Sequence, residues 1–218
     1  MRIRPIAHGI VLIIVMVLIA GCGAHRMTPV DPRSVSTLKP DIEDPDAGLV
    51  GIASGFNPTR YRVIVVETFV VAPGEIKDED DVRLAKDMAA YLHARLLAKL
   101  RTAGAFREVI DAGTVAQPPA GEDVLLLQGD ISRLTEGSQA LRYFVGFGAG
   151  AAKAQIETRF LDGQARDVRM ITADRRAAGM GIFGGDSRQF LTESMDQMAD
   201  GLVSLLRRLA AGGQPGKR

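Results

Sequence analysis

The sequence is poor in the residues that most chemistry requires. It holds one cysteine, three histidines and no tryptophan, and aromatics make up 5% of it. A single cysteine excludes an intramolecular disulfide and any cysteine-rich zinc site. Three histidines leave little material for a metal centre. So few aromatics argue against a base-stacking platform. An excess of charge of one sign is also missing: 27 Lys and Arg face 26 Asp and Glu, a formal net charge of +1 over 218 residues. Without a basic surplus there is no electrostatic case for nucleic acid. With 46% hydrophobic and 24% charged residues the chain is not a disordered tail protein, and its length fits one domain plus extras.

One unbroken apolar run is present, Ile10–Ala20, preceded by Arg2 and Arg4 and no acid. As a helix it would span about 16 Å at about 1.5 Å per residue, roughly half a bilayer core. That is too short to cross a membrane and suits the core of a signal peptide. The run ends Ile19-Ala20-Gly21-Cys22, and Cys22 is the only cysteine. This ending resembles the bacterial lipobox, in which small residues precede a lipid-accepting cysteine. The resemblance implies cleavage after residue 21, acylation of Cys22 and anchoring to the lipid bilayer. One acyl chain binds only marginally, at about 0.8 kcal/mol per buried CH₂, whereas two or three hold firmly. Gly23, rather than an acid, follows the cysteine, which by the same resemblance favours the outer membrane. Removing residues 1–21 takes away two cations and no acid, so the net charge falls from +1 to −1. The sequence offers no polybasic patch to supplement the anchor.

Residues 22–60 read as a lipidated cysteine and a flexible tether. Pro29, Pro32, Pro40, Pro45 and Pro58 punctuate this stretch, and no period of 2 or 3.6 survives in it. Short pieces such as Gly48–Ala53 are expected to pack locally. Residues 61–211 read as one periplasmic domain, and 212–218 as a disordered tail. Tyr61–Val71, rich in β-branched residues, is the first strand. A helix follows: Asp78, Glu79, Asp80 and Asp81 collect where negative charge suits the helix dipole. Ala85, Met88, Leu92, Leu96 and Leu100 then recur at spacings of three and four, up to Gly104. Further strands are expected at Phe106–Ile110, Val124–Leu134, Ala152–Leu161 and Ala165–Asp174, the last two joined by the turn dipeptide Asp162-Gly163. A second helix runs from Ser187 to Ala211, with Asp186 and Gln189 as a capping pair. The expected fold class is α+β: one small domain with a mixed sheet of about five strands covered by two helices, in the order β-α-β-β-β-β-α.

Two glycine-rich segments stand out. Gly146-Phe147-Gly148-Ala149-Gly150-Ala151 fits the dinucleotide pattern G-x-G-x-x-[G/A], with an acid at Asp162 or Asp167 about twenty residues on. The period-2 alternation from Ala152 to Phe160 and the hairpin dipeptide after it oppose that reading, because a Rossmann unit needs a helical crossover to a parallel strand. Gly179–Gly185 carries Ile182 and Phe183 on a glycine-rich loop. Two roles stand open for Gly146, Phe147, Gly148, Gly150, Ile182 and Phe183: close backbone approach, or an apolar contact with a partner. His93 is the one histidine of the domain and is expected on the helix surface. Arg166, Arg169, Arg175 and Arg176 alternate with Asp162, Asp167 and Asp174, as in a solvated hairpin of mixed charge. The acids at 78–81 lack the oxygen-ligand spacing of a calcium loop. No G-x-S-x-G elbow occurs, and Ser54 has no base placed beside it.

Several segments together resemble one bacterial lipoprotein family. They are the lipobox, RVIVVETF, LRTAGAF followed by REVI, LLLQGDISRL, and GSQALRYFVGFGAG, over about Tyr61 to Leu209. That family is known as domain of unknown function 4410, and the resemblance implies no activity. The architecture is similar to small α/β domains of envelope lipoproteins, including the periplasmic domain of the curli-secretion channel. The expectation is therefore an outer-membrane lipoprotein facing the periplasm, not an enzyme, without cofactor or metal. Its role would be binding or assembly with an envelope partner or with further copies of itself. The alternative is an oligomeric component of an outer-membrane export assembly.

Overall fold

The computed structural model describes residues 24–137, 150–178 and 186–217. Among these residues nine strands form one mixed sheet: β1 (Ala24–Met27), β2 (Ile42–Asp44), β3 (Gly48–Ile52), β4 (Val63–Val66), β5 (Val70–Val71), β6 (Glu108–Asp111), β7 (Val124–Thr135), β8 (Lys153–Asp162) and β9 (Val168–Ala178). Two α-helices lie among the described residues, α1 (Glu79–Ala103) and α2 (Ser187–Ala210). The class is the α+β arrangement the sequence implied, and the order from β4 onward matches it. The sheet is larger than expected because three strands come from residues 24–52 and the expected first strand is divided into β4 and β5.

The central meander β7-β8-β9 is antiparallel. β4 and β5 lie parallel to β7 on its far side, and β6 lies parallel to β4. β1 and β3 both run antiparallel along the free edge of β9, pairing with residues 175–178 and 170–173 respectively. The expected strand 61–71 is two strands, because the chain breaks pairing between Val66 and Val70.

Both helices cover one face of this sheet. Leu125, Leu127 and Ile131 of β7, Ile156 and Phe160 of β8, and Met170 of β9 point to that face. They meet Leu92, Leu96 and Leu100 of α1 and Leu191, Met195, Leu202 and Leu205 of α2. α1 starts where the acid cluster predicted: the Asp78 carboxylate accepts from the Asp80 and Asp81 N–H groups. It stops at Gly104, whose φ of 62° is the left-handed cap that glycine adopts without a β-carbon clash. α2 is capped by Asp186, which accepts from the Arg188 N–H. Gln189 does not complete the expected capping pair; its amide donates forward to Glu193.

The expected flexible tether at residues 22–60 is corrected by the structure over 24–60. The segment is built into the fold through long-range polar contacts that no local periodicity reveals. Arg26 donates to both carboxylate oxygens of Asp174, at 3.0 and 3.2 Å. The Asp44 carboxylate, fully buried, accepts from the Asp46 and Ala47 N–H groups and pairs with Arg208 of α2. Residues 28–41 then cross the sheet face opposite the helices. There the Lys39 carbonyl rests against Gly51, where a β-carbon would come within 2.8 Å of the carbonyl carbon.

Candidate functional site

The hairpin between β8 and β9 bears on the dinucleotide reading of the segment before it. Residues 153–162 are strand, paired antiparallel with β9 from Lys153↔Ala177 to Leu161↔Val168. The crossover helix that a dinucleotide fold requires is replaced by a second antiparallel strand. The turn is wider than a two-residue Asp-Gly hairpin. The Asp162 carboxylate accepts from the Gln164 and Ala165 N–H groups, and the positive φ falls at Arg166. Those N–H groups, the largest influence, hold the Asp162 carboxyl below its ordinary range against burial, with help from the Tyr61 hydroxyl.

Of the residues read as candidate sites, Cys22, Gly146, Phe147, Gly148, Ile182 and Phe183 lie outside the described residues. Gly150 is described, at φ 74°. A β-carbon on Gly137 would lie 2.8 Å from the Gly150 carbonyl carbon, so positions 137 and 150 touch. The Ser187 hydroxyl donates to the Glu136 carbonyl at 3.1 Å, and the Ala178 N–H donates to the Ala152 carbonyl at 2.9 Å. Ala24 pairs with Ala178. The described flanks of both glycine-rich segments and the start of β1 therefore meet at one end of the sheet. Cys22 lies two residues before Ala24 in sequence.

Running from that end along the face opposite the helices is a polar strip that sequence reading missed. Asp130, Gln155 and Glu157 are buried there, although Gln155 and Glu157 stand on the polar side of the β8 alternation. The crossing segment covers them. The Gln155 amide donates to the Val30 carbonyl at 3.0 Å and accepts from the Val30 N–H at 2.8 Å. Arg33 pairs with Glu157 at 2.8 Å and with Asp130. Burial pushes the Asp130 carboxyl above its ordinary range; Arg33 opposes this and Glu157 adds to it. Burial works against the Arg33 charge, but the bond to Glu157 and the two carboxylates outweigh it and raise its hold on the proton. Beside Arg33 a cavity of about 190 Å³ is lined by Ser34, Val35, Glu157, Arg159 and Ile171. Its principal charged groups already satisfy one another.

The charged hairpin is less solvated than its sequence suggested. Arg176 is buried on the helix side, where it pairs with Asp174 at 3.0 Å and donates to Gln197 at 3.0 Å. His93 is also corrected, from a surface residue to a bridging one. Its Nδ1 sits 3.1 Å from the Glu67 carbonyl and its Nε2 3.1 Å from Asp111 Oδ1. Both ring nitrogens are engaged, so neither is presented to a bound molecule. Among the described residues, no group of three or more His, Cys, Asp or Glu is placed to hold a metal. Among the same residues, no helix is long and apolar enough to cross a membrane.

Taken together, these features define a class: an α+β domain with a helix pair on one sheet face and a polar strip under a crossing segment on the other. Residues 64–208 match the family model described as Domain of unknown function (DUF4410), and the chain belongs to that family. No curated protein matches it in sequence. Among solved structures it is similar to a dodecameric PelC from Paraburkholderia phytofirmans, at 15% identity and a TM-score of 0.41, covering 70% of this chain and 95% of that one. A PelC variant from the same organism gives 16% identity, the same TM-score and the same coverage. Protein XCC0632 from Xanthomonas campestris, of family model DUF330, gives 13% identity and a TM-score of 0.46, covering 74% of this chain and 91% of that one.

Proposed function

We propose that this protein is a lipid-anchored envelope protein, held by acylated Cys22 on the periplasmic side of the outer membrane, with a binding or assembly role and no catalytic one. The observation that carries the reading is the sole cysteine at the end of a basic-then-apolar leader too short to span a bilayer. The placement of both His93 nitrogens against protein acceptors, the Glu67 carbonyl and Asp111, rather than towards open space supports the non-catalytic part. Apolar residues Phe147, Ile182 and Phe183 are the side chains proposed to meet a partner. The described flanks of their segments lie at the end of the sheet where β1 begins.

Envelope fractionation by density tests the location. The wild-type protein is expected with the outer membrane, and Cys22→Ser is expected to leave that fraction. Equal distribution of the two would overturn the anchor. A second reading, an oligomeric component of an export assembly, is favoured by the outermost strands β2 and β6, each paired on one side only among the described residues. Size measurement of the detergent-solubilised protein separates a single copy from a ring.

A further inference from the structure

The sequence holds no run of basic residues, yet the sheet assembles one from separate strands. Where β1 begins, cross-strand pairing sets Thr135, Lys153, Ala177 and His25 in one row. Two residues further along lies the row Arg133, Gln155, Arg175 and Met27. Both rows face away from the helices, because the row between them holds Leu134, Ala154 and Arg176 of the helix side. Three cations, Arg133, Lys153 and Arg175, thus share one corner with the exposed imidazole of His25.

Among the described residues this corner is poorly neutralised. Arg133 reaches Asp31 at 3.3 Å and Glu75 at 3.6 Å, and both acids are well exposed, so these pairs contribute little. Among the described residues the Arg175 guanidinium has only the Thr28 carbonyl, at 3.4 Å. The Lys153 ammonium has no ion-pair or hydrogen-bond partner among the described residues. Burial, and then the charge of Arg133, loosen the hold of Arg175 on its proton. Like charges gathered without counter-charges cost a fold stability unless something outside it supplies the opposite sign.

We infer that this corner docks on anionic phospholipid headgroups and sets how the domain sits on the membrane. The inference rests on the proposed anchor at Cys22 and deepens it. His25 is three residues beyond Cys22, so their Cα atoms are at most about 11 Å apart. Lys153 lies two strands from His25, roughly another 10 Å across the sheet. Together these limits put the charges within about 21 Å of Cys22, about two Debye lengths at physiological salt, so they meet the headgroups when the domain rests with this corner on the bilayer. The occupant follows from the charge and from the anchor position: a surface of phosphate groups presented at the start of β1.

The test uses the full acylated protein in vesicles of phosphatidylcholine alone or mixed with phosphatidylglycerol. A water-soluble amine reagent modifies lysines, read peptide by peptide. Lys153 modification is expected to slow about fivefold or more on anionic vesicles at low salt and to recover at high salt. Lys86, exposed on α1, should react equally on both. Arg175→Gln and, separately, Arg133→Gln should each weaken the protection of Lys153 about fivefold, the scale for one cation near an anionic surface. Their unchanged melting temperatures would show that the fold is intact. Equal Lys153 reactivity on the two vesicle types would overturn the inference. So would protection in native envelopes but not on anionic vesicles, which would assign the corner to another macromolecule. The mass of the N-terminal peptide in the same sample reports whether Cys22 is acylated, so failure of the anchor is read apart from failure of the docking surface.

Discussion

Gly201→Ala changes sign depending on whether residues 44–47 belong to the fold. In an exposed helix interior, replacing glycine by alanine stabilises by about 1 kcal/mol, because glycine loses more backbone entropy on folding. Gly201 sits in the middle of α2, and the turn at Asp46 packs directly on it. A β-carbon there would lie 2.8 Å from the Asp46 carbonyl carbon and closer still to its oxygen. Carbon atoms rest at about 3.5–4.0 Å, so the turn would have to retreat by roughly 1 Å. The turn is pinned by Arg208 to Asp44 and Asp46, and by Arg26 to the Pro45 and Asp46 carbonyls. Charge-assisted hydrogen bonds contribute about 1.5–3 kcal/mol each, and overpacking costs typically about 1–3 kcal/mol. Set against the propensity gain of about 1 kcal/mol, this leaves the variant destabilised by up to about 2 kcal/mol. Urea unfolding of the full protein followed by circular dichroism measures it. A variant more stable than wild type by about 1 kcal/mol would refute the reasoning and return residues 44–47 to a loose tether.

Leu96 is fully buried between α1 and the sheet, so Leu96→Ala should cost about 2–5 kcal/mol in the same assay; less than about 0.5 kcal/mol would mean the face is not core. Burial raises the Asp44 carboxyl, but the Gly216, Asp46 and Ala47 N–H groups and Arg208 reverse this and hold it below its ordinary value of 3.8. A depressed carboxyl adds stability above the unfolded value and loses it as pH falls through the folded one. Asp44→Asn should therefore lower stability at neutral pH and flatten the loss below about pH 4; an unaltered acid limb would count against the clamp.

The elements legible in the sequence were those whose signals are local. The α1 stripe and its Gly104 stop, the alternation of β8 and the chain order from β4 onward all depend on neighbours within a few residues. Residues 24–60 were misread because what holds them is distant: Val30 binds Gln155 and Arg33 binds Glu157, each more than a hundred residues away. Alternation identified which residues of β8 share a face, but it could not say that a crossing segment buries Gln155 and Glu157. The basic corner was invisible for the same reason, since Arg133, Lys153 and Arg175 meet only through strand register. Cys22 and nearly all of the glycine-rich candidates, read from sequence, lie outside the described residues, while the polar strip and the bridging of His93 emerged only from tertiary packing.

Mass spectrometry of the protein purified from a two-membrane bacterium tests the central claim most directly. The account predicts an N-terminal peptide that begins at Cys22 and carries a thioether-linked diacylglyceryl group, with or without a further N-acyl chain. A chain beginning at Met1, or a cleaved chain with an unmodified Cys22, would contradict it.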